Sequence, residues 1–185
     1  MDNRDSSKFD WRTNLIDSGS NRPPRDWLQS RGSLTERLQS LGAFKVKVLR
    51  QRLAYPTHDE AAILRLNRKQ LVWTREVALY CNDTPVVFAH TVLGRSPRGP
   101  VTRWLRQLGT RSLGALLFAQ LGFSRGRMQF KRIDRRHPLF RRAAQGMQLS
   151  DSIVHALWAR RSTFSYGSQS VLVTEIFSPS LYIST

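Results

Sequence analysis

The sequence of 185 residues predicts an α+β fold in a single domain, an antiparallel sheet of about six strands with short helices in its connections. Two observations predict it. Segments of period-two alternation follow one another as hairpins, so neighbouring strands run antiparallel, and segments with helical caps and spacing fall between them. In addition, two alternating segments each carry a lone charge where the pattern demands an apolar side chain. Arg75 shares a strand face with Leu71, Trp73, Val77 and Leu79, and Glu175 shares one with Val171, Val173 and Phe177. With 40% hydrophobic residues the chain can bury one sizeable core.

Residues 1–25 read as a polar tail, interrupted by Trp11 and Leu15-Ile16 and closed by Asn21-Arg22-Pro23-Pro24; Trp11 is the residue able to order part of it. The domain proper spans 26–185. Ser33-Leu34-Thr35-Glu36 has capping-box spacing and Gly42 a stop, which predicts a helix over 34–41. Phe44, Val46 and Val48 alternate with Lys45 and Lys47 in a strand that reaches Tyr55 before Pro56. A short helix follows over 59–66. Residues 70–81 and 86–93 then flank a four-residue turn containing Asp83 and Pro85, a β-hairpin whose second strand aligns Val86, Phe88, His90 and Val92.

Residues 95–100 are a Gly/Pro-rich loop. Helices over 102–108 and 113–121 join at Gly109, with Ser112 as N-cap of the second, and form a helical flap. Residues 127–133 alternate again as a strand, Pro138 opens a short helix that Gly146 breaks, and 156–166 with 171–177 surround Gly167-Ser168-Gln169-Ser170 as a last hairpin.

The formal charge of +17 comes mainly from arginine spread along the chain. Such a field favours anionic partners, whether nucleic acid, anionic lipid or small carboxylates steered to a cleft. No helix-turn-helix, zinc-finger or RNP signature accompanies it, so nucleic acid is not the expected partner. Cys81 is the sole cysteine, which excludes an intramolecular disulfide and a cysteine-based metal cluster. The first twenty residues carry Asp2, Asp5, Asp10 and Asp17 and lack an apolar h-region, and no apolar run approaches the ~18 residues of a membrane span. A soluble, unprocessed cytoplasmic protein is expected.

Ionised groups are almost never buried without a partner, because desolvation costs several kcal/mol. Arg75 and Glu175 therefore imply either a polar ligand between them or a core network in which they pair with each other, or with Glu76 and Arg161. His90, alone on a strand face, reads as a hydrogen-bonded core residue before it reads as a catalyst. Cys81, in a turn without a neighbouring base, is a weak nucleophile candidate, and Trp73 and Trp158 are core aromatics. Of Arg160 and Arg161, alternation sends one toward Glu175's face and the other away, and the reading leaves open which.

Trp27-Leu28 before Ser33-Leu34-Thr35-Glu36-Arg37, Trp73-Thr74-Arg75-Glu76-Val77, Leu108-Gly109-Thr110-Arg111-Ser112-Leu113-Gly114, Leu157-Trp158-Ala159-Arg160-Arg161-Ser162 and Val173-Thr174-Glu175-Ile176-Phe177-Ser178-Pro179 occur in that order. Over about 26–182 this register resembles the bacterial chorismate–pyruvate lyases of ubiquinone biosynthesis. The resemblance implies a six-stranded antiparallel sheet whose site is closed by two helical flaps, and conversion of chorismate to 4-hydroxybenzoate and pyruvate without metal or organic cofactor. It implies substrate-binding roles for Leu34, Arg75, Leu113 and Glu175, with Arg75 and Glu175 acting through side chains as the catalytic pair. An arginine fork matches a carboxylate bidentately, which suits Arg75 to the ring carboxylate. Leu34 and Leu113 each follow a serine N-cap, so their N–H groups lie at the positive end of a helix. Glu175 would accept from the ring hydroxyl, about one aromatic ring away. The expected partners are chorismate and, weakly, an anionic membrane surface, and the expected state is a monomer.

The chain departs from the family pattern in its arginine excess, in its tail, and in a longer stretch over 135–155 that could add a lid or surface helix. A non-catalytic domain that senses small carboxylates, of the sheet-and-flap type found in some transcription regulators, is the alternative. Such domains normally follow a DNA-binding module, for which residues 1–25 are too short.

Overall fold

A computed structural model describes residues 10–15, 22–94, 99–114, 117, 122–150 and 154–182. Its sheet has seven strands: β1 (Phe44–Ala54), β2 (Val72–Cys81), β3 (Thr84–Gly94), β4 (Ser124–Arg125), β5 (Gln129–Asp134), β6 (Ala156–Tyr166) and β7 (Gln169–Phe177). All pairings are antiparallel, in the order β1-β2-β3-β7-β6-β4, and β5 also pairs with β6. β5 pairs with the first half of β6 and β4 with its end, so the two share one edge and the sheet is six strands wide. The two-residue β4 carries no alternation to read, which is why the sequence predicts one strand fewer.

Both hairpin turns are tighter than expected. Asn82 and Asp83 take φ of 48° and 64°, so two residues close the β2–β3 hairpin and Pro85 lies inside β3. Positive φ at both central positions matches the right-handed twist of the strands. Gly167 and Ser168 likewise close β6–β7 with two residues, pairing Tyr166 with Gln169, with positive φ at Gly167 (55°) and not at Ser168.

Five short α-helices lie wholly within the described residues: α1 (Arg25–Leu28), α2 (Leu34–Gln39), α3 (His58–Leu64), α4 (Pro100–Arg106) and α5 (Phe140–Gly146). The Ser33 side chain accepts from the Glu36 N–H at α2, as the spacing predicts. At α3 the reciprocal box is complete, with Thr57 and Glu60 each satisfying the other's backbone N–H. The helix expected over 113–121 lies partly outside the described residues; Leu113, Gly114 and Leu117 are helical.

The sheet divides the core in two. On one face, α3 and α5 cover Phe88, Leu157, Ala159 and Ile176, and Val72, Val92 and Leu172. The stretch 135–155 thus contributes a helix to this back face rather than a lid. Trp11 and Arg12 dock beside it, while Leu15 joins the front cluster: Arg12 exchanges two backbone bonds with Phe130, Trp11 donates to Asp59 at 2.6 Å, and Arg161 stacks on Trp11. On the front face α1 and α2 pack over Val46, Leu79, Val87 and Phe177, and α4 packs over Trp73, Leu93 and Val171.

The histidine of β3 belongs to the back face and is buried, as expected of a core residue. Its ring lies 3.2 Å from Glu60 of α3 and 3.2 Å from Glu76 of β2, and Glu76 also meets Arg142 of α5 at 2.5 Å and Arg50 of β1 at 3.9 Å. Burial disfavours the imidazolium, but the two carboxylates more than offset this and hold the His90 pKa above its ordinary 6.5. Burial likewise opposes ionisation of Glu60 and Glu76, yet His90 keeps both below their ordinary 4.5. A raised histidine stabilises the fold fully below its unfolded pKa and loses that contribution as pH rises through the folded one, whereas lowered carboxylates lose theirs as pH falls. Thermal stability should therefore decline above about pH 6.5, and His90→Gln should flatten that decline. Parallel melting profiles for the two proteins would place the alkaline sensitivity elsewhere.

Candidate functional site

Between the two front-face clusters lies a strip that the helices do not fill. Cross-strand register lays down two rows there: Arg75, Thr91, Val173, Ser162, and beside it Val77, Ala89, Glu175, Arg160. Thr91, Val173 and Ala89 leave room in the middle of the strip, and the resulting hollow is closed from above by Leu34 and Thr35 on one side and by residues 111–114 and Leu117 on the other. Leu34, Arg75, Leu113 and Glu175, the four residues singled out from sequence, all line it.

Arg75 is 2% exposed. Its Nη2 donates to the carbonyls of Gly109 at 2.7 Å and Arg111 at 3.4 Å, whereas Nε and Nη1 are buried without an acceptor among the described residues. Gly109, at φ 54°, makes the left-handed turn that presents its carbonyl here. Burial alone lowers the Arg75 pKa, with no carboxylate beside it to resist. A buried guanidinium with orphaned donors is costly, and a carboxylate in the hollow would satisfy it.

Of the two alternatives that the sequence leaves open, the mutual pairing of Arg75 and Glu175 is not the one made. Register sets them two strands and one residue pair apart, on the order of 12 Å between Cα atoms. Glu76 and Arg161, the other partners considered, lie on the back face; Arg161 binds Asp59 at 2.9 Å and Gln129 at 2.8 Å. Glu175 instead receives Arg160 Nε at 2.5 Å. Arg160 Nη1 donates to the carbonyls of Trp27 (3.0 Å), Leu28 (3.4 Å) and Ser30 (2.7 Å). These carbonyls close the end of α1, so one buried arginine fixes both Glu175 and the entry to the first flap.

Sequence reasoning left Arg160 open although a signal was present. In a hairpin, any turn with an even number of residues puts Arg160, and never Arg161, on the face of Glu175.

The two flaps meet each other above the hollow. Thr35 Oγ1 and Ser112 Oγ are 2.5 Å apart, and a Cβ on Gly114 would stand 3.2 Å from Thr35 Oγ1, so only glycine permits this approach without displacement. Leu34 packs with Leu79 and Val87 beside the Glu175 row, and Leu113 packs with Trp73 and Val171 beside the Arg75 row. Each is the first residue of its helix, where the N–H has no intrahelical acceptor. The cavity below holds about 50 Å³, room for a few waters and less than a substituted ring needs, so the flaps must part to admit one.

A model of the chorismate lyase family matches residues 14–185, starting within the stretch read as tail. The probable chorismate pyruvate-lyase of Dechloromonas aromatica (strain RCB) is 45% identical over 172 residues, covering 92% of this chain and 95% of that protein. That of Nitrosospira multiformis is 45% identical over 159 residues, covering 85% and 87%. Among solved structures, the effector domain of PhnF from Mycobacterium smegmatis superposes with a TM-score of 0.56 over 80% of this chain and 90% of that one, at 16% identity. The C-terminal domain of the histidine utilization repressor from Pseudomonas syringae gives 0.55 over 75% and 93%, at 14% identity. These last two show a shared fold only. From the sequence match over nearly its whole length, the chain belongs to the chorismate lyase family.

Proposed function

We propose that this protein eliminates pyruvate from chorismate to give 4-hydroxybenzoate, the first committed step in supplying the ring of ubiquinone. The observation that carries the reading is the Arg75 guanidinium, buried at the hollow with Nε and Nη1 unsatisfied. Arg75 and the Leu113 N–H hold the ring carboxylate. At the far end Glu175, oriented by Arg160, accepts from the ring hydroxyl, and the Leu34 N–H donates to the same oxygen.

The C4 proton leaves, its electron pair forms the new ring double bond, and the C3–oxygen ether bond breaks, releasing enolpyruvate that takes up a proton to become pyruvate. Aromatisation drives the step. The protein's part is to orient the dianion, exclude water beneath the flaps and leave the enolpyruvyl carboxylate within reach of the C4 proton as base. The flaps that exclude water also enclose the product, so flap opening should limit turnover.

Incubation of the purified protein with chorismate should produce the absorbance of 4-hydroxybenzoate. Binding without turnover would move the protein to the alternative of a non-catalytic carboxylate-sensing domain. The helix-end roles have their own test. Leu34→Met or Leu113→Met should keep most activity, because the swap conserves volume and the N–H. Leu34→Pro or Leu113→Pro, sterically acceptable at a first helical position, should lose it with the donor. Full affinity of folded proline variants for 4-hydroxybenzoate would refute the backbone roles.

A further inference from the structure

The large apolar residues left exposed among the described residues are Leu41, Val48, Leu53, Tyr55 and Leu71, at 51, 37, 58, 64 and 48%. All lie on or beside one element. Leu41 precedes β1, Val48 and Leu53 belong to it, Tyr55 follows it, and Leu71 precedes the adjoining strand. β1 is one edge of the sheet, opposite the edge that β4 and β5 form. The same edge is strongly cationic: Lys45, Lys47, Arg50 and Arg52 are exposed along it, and Arg68 and Lys69 are exposed in the connection to β2. Residues 41–55 and 62–71 contain no Asp or Glu.

We propose that the β1 edge, with exposed Val48 and Leu53 on its front face and Lys45, Lys47, Arg50 and Arg52 on its back face, docks this protein edge-on on an anionic lipid surface. Met edge-on, the strand brings both rows to the interface of an anionic bilayer, where apolar groups enter the headgroup boundary and cations meet lipid phosphates. A second copy is the other occupant an open edge strand invites, but two edges each bearing Lys45, Lys47, Arg50 and Arg52 repel each other. Nucleic acid would use the charge and leave the apolar residues without a role.

The edge adjoins the hollow directly. In the β1–β2 register Gln51 faces Arg75, Val48 faces Val77 and Leu53 faces Trp73. A ligand leaving between the flaps on that side would emerge at the membrane. Only this consequence rests on the lyase reading; the docking itself does not.

Co-sedimentation with phosphatidylcholine vesicles, and with vesicles containing one quarter phosphatidylglycerol, tests it from 0.05 to about 1 M salt, over which the Debye length falls from above 10 Å to ~3 Å. The wild type should bind the anionic vesicles at low salt and come off as salt rises. Lys45→Glu with Lys47→Glu, and separately Leu53→Ser with Tyr55→Ser, should each weaken partitioning at least about tenfold at unchanged thermal midpoints. Arg106→Glu with Arg141→Glu, the same charge change elsewhere on the surface, should stay within about threefold of wild type.

Equal losses in that control would reduce the effect to net charge and overturn the assignment. So would wild-type binding by the edge variants, a concentration-dependent dimer that the edge variants abolish, or tighter binding of duplex DNA through the same residues. Chorismate turnover in vesicle-free buffer, measured on every variant, should be unchanged. Its absence from all of them would fault the lyase reading and leave the docking result standing.

Discussion

Replacing Arg75 by alanine is expected to abolish most chorismate turnover and product affinity. The side chain is buried, and Nε and Nη1 have no acceptor among the described residues to lose, so most of the cost falls on the ligand and the rest on the Gly109 and Arg111 carbonyls. Truncating one partner of a buried charge pair costs roughly 2–5 kcal/mol, or about thirty- to several-thousand-fold. Folding stability should hold or rise, since the variant discards a desolvated charge bound only by two carbonyls. Arg75→Lys should recover little, because one ammonium cannot reproduce the fork. Wild-type kinetics in either variant would remove Arg75 from the site.

Arg160→Met should act through the opposite balance. Arg160 joins Glu175 of β7 to three carbonyls at the end of α1, so its loss strands a carboxylate and unties the first flap from the sheet. Breaking a largely buried pair from one side costs on the order of 3 kcal/mol of folding stability, and urea denaturation would read it as a lower midpoint at unchanged slope. Product affinity should fall as well, because Glu175 loses the group that orients it. Glu175→Gln keeps the carbonyl bonds of Arg160 and should cost less stability while still weakening the hold on the ring hydroxyl. A midpoint for Arg160→Met within about 0.5 kcal/mol of wild type would show that the arginine does not anchor the flap.

The contrast between these arginines marks where the sequence was legible. Arg75 and Glu175 violate strand alternation, and that anomaly alone carries both to the front face; Leu34 follows Ser33, whose side chain caps α2, Leu113 follows Ser112, and both leucines line the hollow. The partners were not legible, because pairing across strands depends on register. A turn read as Gly167 to Ser170 instead of Gly167-Ser168 shifts every contact of β6 with β7 by one same-face step, enough to hide that Arg160 sits opposite Glu175.

Glu76 shows a second limit. It neighbours Arg75 in sequence and is as deeply buried, but its place beside His90 and Glu60 depends on α3 and α5 packing on the back of the sheet, which no local pattern encodes. The same holds for Trp11, whose bond to Asp59 docks part of a segment that composition alone marks as tail.

The most direct test of the Arg75 site is the relative affinity of the wild-type protein for 4-hydroxybenzoate and 4-hydroxybenzamide, two flat rings of nearly equal size that differ in whether they bring a negative charge to the guanidinium. A charge-assisted pair with two otherwise unsatisfied buried donors predicts that the carboxylate binds at least about tenfold to a hundredfold more tightly, and that Arg75→Ala erases the difference. Equal affinity of the wild type for the two compounds would contradict the assignment of Arg75 as the carboxylate anchor.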